Sequence, residues 1–366
     1  MIENDKALLN AMMQDLKKSE SWYQPTNYWK VYQDRLMPVI NENGISQFRG
    51  SESKIFNSFG VTQPPHTLVG EFLEVHDIKG SIIGHLVLSF LRKIRLYKIV
   101  ISQHRKTYAA FLNACFHIAA GETSKQELLT ISDSGLAEPR DLFQPLASHK
   151  NRYTLAFLRY YLQYRWVKKR IDFSGVKTIC ELGTGYGGQI EVIRKLHPNI
   201  KFLVCDIPPQ LYIAEQYLKS VFPGDVTGYM ETSAMDKINL MNTKSITIIG
   251  TWQLTKVESP IDLFISSTTF QEMEPDIVDN YFKIIKSFTK QHIYLMQLVK
   301  GQKLASEIGK HGVLKPTTLE HYEKFLNEEF KLRETEEATL FSSGQIGTQF
   351  LKTDIESHHN MLFDRR

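Results

Sequence analysis

Cysteine is scarce in this chain: Cys115, Cys180 and Cys205 are the only three in 366 residues. That excludes a disulfide framework. Two of the three fall inside apolar runs that read as buried strands, so reduced core thiols in a cytoplasmic protein are expected. No apolar run approaches the roughly 20 residues of a membrane span. The greasiest stretch, 82–91, is interrupted by His85, and the amphipathic opening MIENDKALLNAMMQDLKKSE lacks the apolar core of a signal peptide. Neither a low-complexity tract nor an internal repeat is found. Acid is missing locally: 78–121 and 142–171 contain no Asp or Glu, while both hold clustered Lys and Arg. Such runs read as solvated helix faces or as a basic surface for an anionic substrate carrier or a membrane face. A net charge of +4 is too small to imply nucleic acid.

The composition, 42% hydrophobic and 23% charged, is that of an ordinary folded protein long enough for two domains. Residues 1–145 read as a mainly helical N-terminal domain for acceptor binding or oligomerisation. Leu8, Leu9, Met12 and Leu16 form a helical stripe, and helical patterns resume over 72–96 and 107–120. Trp22, Tyr23, Tyr28, Trp29 and Tyr32 crowd together, either as a small core or as a stacking surface for a sugar. This aromatic-rich surface also suits a homodimer. Gly135, Pro139 and Pro145 punctuate a linker over 121–145.

Residues 146–366 are organised around 176–209, VKTICELGTGYGGQIEVIRKLHPNIKFLVCDIPP. An apolar run leads through Glu181 into Gly183-Thr184-Gly185-Tyr186-Gly187-Gly188, then a helical segment, then a second apolar run closed by Asp206. Strand, glycine turn, helix, strand and acid form the unit that holds a nucleoside-containing cofactor, with the acid on the ribose. Further strands are expected at 245–250, 261–267 and 292–297, with 225–243 as an insertion, and strand-like tracts near 330–334 and 349–354. Together they describe an α/β fold: a doubly wound, seven-stranded sheet ending in an antiparallel pair.

The G-x-G-x-x-G spacing alone leaves a nicotinamide dinucleotide open. Glu181, two residues before the first glycine, repels a pyrophosphate but attracts the amino and sulfonium end of S-adenosyl-L-methionine. The segments ELGTGYGGQIEVI, CDIPPQLYIAEQYL, TWQL and ISSTTFQEM together resemble the bacterial putative sugar O-methyltransferases, over about 150–300, and GISQFR at 44–49 is similar to a segment of their N-terminal part. The resemblance implies a Rossmann-like class I methyltransferase sheet, S-adenosyl-L-methionine as cofactor, and a sugar or glycan acceptor, free, nucleotide-linked or lipid-linked, in polysaccharide or glycoside biosynthesis. It implies Glu181, Gly183, Gly185 and Gly187 around the methionine part, Asp206 on the ribose, Ile207 on the adenine, and Thr251, Trp252 and Gln253 at the adenine edge. Thr184 and Tyr186 belong to the same turn. Arg159, on a helix before the first strand, is placed to reach the cofactor carboxylate.

The base that deprotonates the acceptor belongs past the fourth strand, among Ser266, Ser267, Gln271 and Glu272. Ser266 is counted with the cofactor residues. Glu272 is the preferred base, with Gln271 orienting the acceptor, although Glu272 also reads as part of a helix N-terminus with Glu274, Asp276 and Asp279. His311, in a Gly301, Gly309 and Gly312 lid, is the second base candidate. His76 and His85 lie in the N-terminal domain with nothing to place them. The acidic run matches no metal motif.

Overall fold

The computed structural model describes residues 2–50, 55–56, 95–339 and 358–366. His76, His85, the helical pattern over 72–94 and the strand-like tract at 349–354 lie outside the described residues.

An eight-stranded sheet forms the centre, in the order β3-β4-β2-β1-β5-β6-β8-β7. Its strands are β1 (Thr178–Leu182), β2 (Lys201–Asp206), β3 (Val226–Thr227), β4 (Ile246–Gly250), β5 (Ile261–Ser267), β6 (Thr289–Leu298), β7 (Phe330–Glu337) and β8 (His358–Arg365). β1 to β6 pair in parallel, and β8 pairs antiparallel with both β6 and β7. The inner strands are apolar because helices cover both faces.

Two expectations need correction. Residues 225–243 are not wholly an insertion, since Val226 and Thr227 pair with β4 and add an eighth strand. The last strand lies at His358–Arg365, where Asn360, Met361, Leu362 and Phe363 turn inward against β6.

The helices used below are α1 (Lys6–Lys18), α2 (Asn27–Asn43), α3 (Arg95–Ala120), α4 (Leu155–Lys168), α5 (Gly188–Leu196), α6 (Gln210–Val221), α7 (Pro275–Phe288) and α8 (Leu319–Leu326). Thr26 and Thr154 cap α2 and α4, their side-chain oxygens accepting from Trp29 and Phe157 N–H groups. Pro275 at the first turn fixes the start of α7. α4 is buried well beyond one stripe: Leu155, Leu158 and Leu162 are covered, and so are Phe157, Tyr161 and Tyr164.

The order β4-β2-β1-β5 reverses direction at β1, so a crevice opens at the carboxyl ends of β1, β2, β4 and β5. The first-turn elements of the N-terminal segment close it from above: Thr26 Oγ1 donates to Glu272 O (2.9 Å), and Gln33 Nε2 to Pro208 O (3.0 Å).

Candidate active site

The crevice is a cavity of about 430 Å³. Its floor is the turn after β1. Gly183, Gly185 and Gly187 have φ of +82°, +58° and +89°, a conformation that only glycine adopts without strain. At Gly183 a Cβ would also sit 1.8 Å from Thr269 Oγ1, so any side chain would push the β5 loop away from the turn.

Glu181 and Asp206 line this floor. Thr184 Oγ1 donates to Glu181 Oε2 at 2.8 Å; the backbone N–H groups of Ile207 and Gly185 donate to the two Asp206 oxygens at 2.8 and 3.3 Å. Burial, reinforced by the Asp206 charge, pushes the Glu181 carboxyl up to about 8. Burial likewise raises Asp206 to about 7 against the pull of its backbone donors. Neither acid has a cation within ion-pair distance among the described residues. The floor is therefore built for a ligand that brings donors and positive charge.

Glu272 stands across the cavity, in the tight turn Phe270–Glu272 after β5. Tyr28 and Trp29, from the first turn of α2, line the cavity beside its carboxyl and act to hold it down. Burial raises it well above the ordinary glutamate range, and the Asp206 charge adds to this. The neighbouring wall is aromatic: Tyr28, Trp29 and Tyr32 have ring centroids 5.1–5.8 Å apart, and Trp22 is 41% exposed at the edge. The opposite wall carries Arg159, Tyr160, Gln163 and His358. Ser267 Oγ donates to Gln163 Oε1 at 2.9 Å, and burial beside Arg159 and His359 lowers the His358 imidazole to about 4.

Of the residues expected from sequence, Arg159, Glu181, Gly183, Thr184, Gly185, Asp206, Ile207, Thr251, Gln271 and Glu272 line this one cavity. Six others lie outside its lining. The Tyr186 ring turns back against Phe48, Tyr217 and Arg49. Gly187 caps α5, where a Cβ would meet Leu218 at 2.8 Å. Trp252 packs over Gly250 and against Tyr229. Gln253 is spent on structure, accepting from Gly250 N–H (2.8 Å) and donating to Thr232 O (2.9 Å). Ser266 is buried inside β5. His311 sits behind the aromatic wall, its Nε2 3.1 Å from Tyr32 Oη.

Gln271 reaches the cavity, but its amide is largely committed: Oε1 accepts from Leu298 N–H at 2.8 Å, and Nε2 lies 3.3 Å from His358 Nε2. With the oxygen fixed by Leu298, Nε2 is the donor and His358 Nε2 the acceptor. His358, Gln163 and Thr26 have no counterpart in the sequence reading. No local pattern marks them, because each joins the site through contacts between distant segments.

Residues 159–238 match the family model of an O-methyltransferase domain. No curated protein sequence matches the chain. Among solved structures it is similar to the mitomycin 7-O-methyltransferase MmcR, at 11% identity and TM-score 0.37, over 58% of this chain and 55% of that one. It is similar to the pyocyanin biosynthetic protein PhzM at 14% identity and TM-score 0.38, over 58% and 56%. The magnesium protoporphyrin IX methyltransferase of Synechocystis PCC 6803 with bound cofactor follows at 12% and 0.36, over 58% and 84%. The similarity thus spans little more than half the length of the first two. Likeness of this order leaves the chemistry to this chain's own residues. The family match covers the glycine turn and Asp206, which this chain carries on a doubly wound α/β sheet.

Proposed function

We propose that the protein is an S-adenosyl-L-methionine-dependent O-methyltransferase that acts on a sugar hydroxyl, with residues 1–145 supplying the wall over the acceptor. The observation that carries it is the placement of Glu181, Asp206 and Glu272 on one cavity whose remaining wall is aromatic. Two of the acids lie over the glycine turn. The third faces them beside the stacking rings of α2.

When bound, S-adenosyl-L-methionine supplies an electrophilic methyl group on a cationic sulfur. The residues of this chain bind and orient. Glu181 accepts from the amino end, Arg159 meets the carboxylate end, and Asp206 accepts the ribose hydroxyls. Ile207 packs on the base, and the Gln210 amide oxygen, buried in the cavity wall without a protein partner, is fitted to a donor on it. Trp22, Tyr28, Trp29 and Tyr32 offer faces on which a pyranose can stack while its hydroxyls reach polar groups. That stacking aligns the acceptor oxygen for displacement.

Glu272 would take the proton from the acceptor hydroxyl while the new carbon–oxygen bond replaces the methyl–sulfur bond of the bound cofactor, which would leave as the neutral thioether. A carboxyl raised by burial is a stronger base than an exposed glutamate once ionised, and Tyr28 and Trp29 fix its direction. His311 is the weaker base candidate, because Tyr32 stands between it and the cavity.

The test is transfer of label from methyl-labelled cofactor to a panel of fractionated glycans, nucleotide sugars and phenols. Label in a saccharide fraction is expected. Label confined to phenols would overturn the sugar acceptor, and no label in any fraction despite cofactor binding would favour a non-catalytic binding protein.

A further inference from the structure

Residues 300–315, KGQKLASEIGKHGVLK, lead from β6 to α8 by way of the cavity mouth. The inner side of this loop is fully engaged. Gln302 lines the cavity, and the His311 ring lies 4.9 Å from that of Tyr28. Asn27 pins the tip, accepting from Gly309 N–H (2.7 Å) and donating to Lys310 O (2.9 Å) and Gly312 O (2.8 Å). The two arms are tied by Ala305 N–H to Val313 O (2.9 Å) and Val313 N–H to Lys303 O (3.0 Å). Glu274 accepts from Leu314 N–H at 2.9 Å.

The outward side has a different character. Leu304, Ile308 and Leu314 are 63%, 82% and 48% exposed, three of the seven large hydrophobic side chains exposed among the described residues. Lys300, Lys303, Lys310 and Lys315 are exposed between them, against the single acid Glu307. Trp22, a fourth exposed apolar side chain, stands at the same mouth. Isolated surface hydrophobics are ordinary; several within a dozen residues, interleaved with lysines and held on a loop anchored by backbone hydrogen bonds, mark an interaction surface. Apolar side chains set among four lysines, of which Lys310 meets Glu307 at 3.8 Å, complement the interface of an anionic bilayer, where the alkyl groups enter the headgroup boundary and the ammonium groups meet lipid phosphates.

We propose that the loop 300–315 docks the cavity mouth onto an anionic lipid surface. An acceptor saccharide carried on a lipid then reaches the aromatic wall directly from the membrane, a consequence that rests on the proposed sugar methyl transfer, whereas the docking itself does not.

The experiment is co-sedimentation of the full chain with vesicles of phosphatidylglycerol and phosphatidylcholine in equal parts, and with phosphatidylcholine alone. Binding to the mixed vesicles and not to the neutral ones is expected, weakening with added salt. Lys303→Gln with Lys310→Gln should weaken it by about fivefold per lysine, and Leu304→Ser with Ile308→Ser should weaken it further, while S-adenosylhomocysteine binding by all variants stays at the parental value. Equal sedimentation with neutral and anionic vesicles, or variants that sediment like the parent, would overturn the proposal. So would a loss of self-association in the variants with vesicle binding unchanged. Loss of S-adenosylhomocysteine binding by the parent chain would count against the methyltransferase reading and leave the docking result standing.

Discussion

Buried acids lie on both sides of the glycine turn, and Asp133 behind it is shifted in the opposite direction from Glu181 and Asp206 in front. Behind it, Asp133 receives the Arg49 guanidinium in a paired, two-pronged contact at 2.9 and 2.6 Å, and Thr154 and Gly135 add donors. Burial would raise Asp133, but Arg49 outweighs it and holds the carboxyl below its ordinary value. Arg49 also lies over the Tyr186 ring, which belongs to the turn itself. In front, Glu181 and Asp206 are as deeply buried, have only neutral donors, and are raised to about 8 and about 7. Asp133 finds its cation within the protein. Glu181 and Asp206 instead face the open cavity.

The largest effect expected concerns the front cluster's third acid. Glu272→Gln should lower kcat by about 10²- to 10⁴-fold with cofactor affinity retained; near-normal turnover would remove Glu272 from the base role. Behind the turn, Arg49→Met leaves Asp133 buried and unpaired and should destabilise the fold by about 3–5 kcal/mol, read by denaturant unfolding. A loss under about 1 kcal/mol would erase the distinction between the clusters.

The pH response separates them further. Glu181 and Asp206 have folded values above their ordinary 4.5 and 3.8, so the folded chain binds more protons than the unfolded one across that interval. Stability of the ligand-free protein from this source is greatest in acid and is lost as pH rises from about 4 to about 8. Glu181→Gln should remove at least about 1.4 kcal/mol of that decline, seen in unfolding midpoints against pH. Asp133 carries the reverse sign, its contribution being lost as pH falls below the ordinary aspartate range. The smallest effect belongs to the rim: Trp22→Ala removes one stacking face and should raise the acceptor KM by roughly three- to tenfold with kcat little changed, about 0.5–1.5 kcal/mol.

The donor side was largely legible in the sequence because its signals are local. Glycines at fixed offsets after a strand report positive φ, and an acid ending the next strand falls beside that turn, each within one βαβ unit. Tyr186 shows the limit of that logic: its place in the turn assigned it to the cofactor, but the ring found Arg49, 137 positions earlier in the chain numbering. The acceptor side was legible only as an ambiguity. Tyr28 and Trp29 could have been a helical core, and their place beside Glu272 in the cavity depends on α2 docking over the mouth. His358 gave no signal, since pairing of β8 with β6, and not any pattern near residue 358, brings it to Gln271.

The most direct test of the central claim is calorimetric titration of the purified chain with S-adenosyl-L-methionine and with S-adenosylhomocysteine at about pH 6 and about pH 9, on either side of the raised acids. The account predicts that both bind, that the cationic ligand gains on the neutral one as pH rises, and that its binding releases protons. Absence of S-adenosylhomocysteine binding, with a nicotinamide dinucleotide binding in its place, would contradict it.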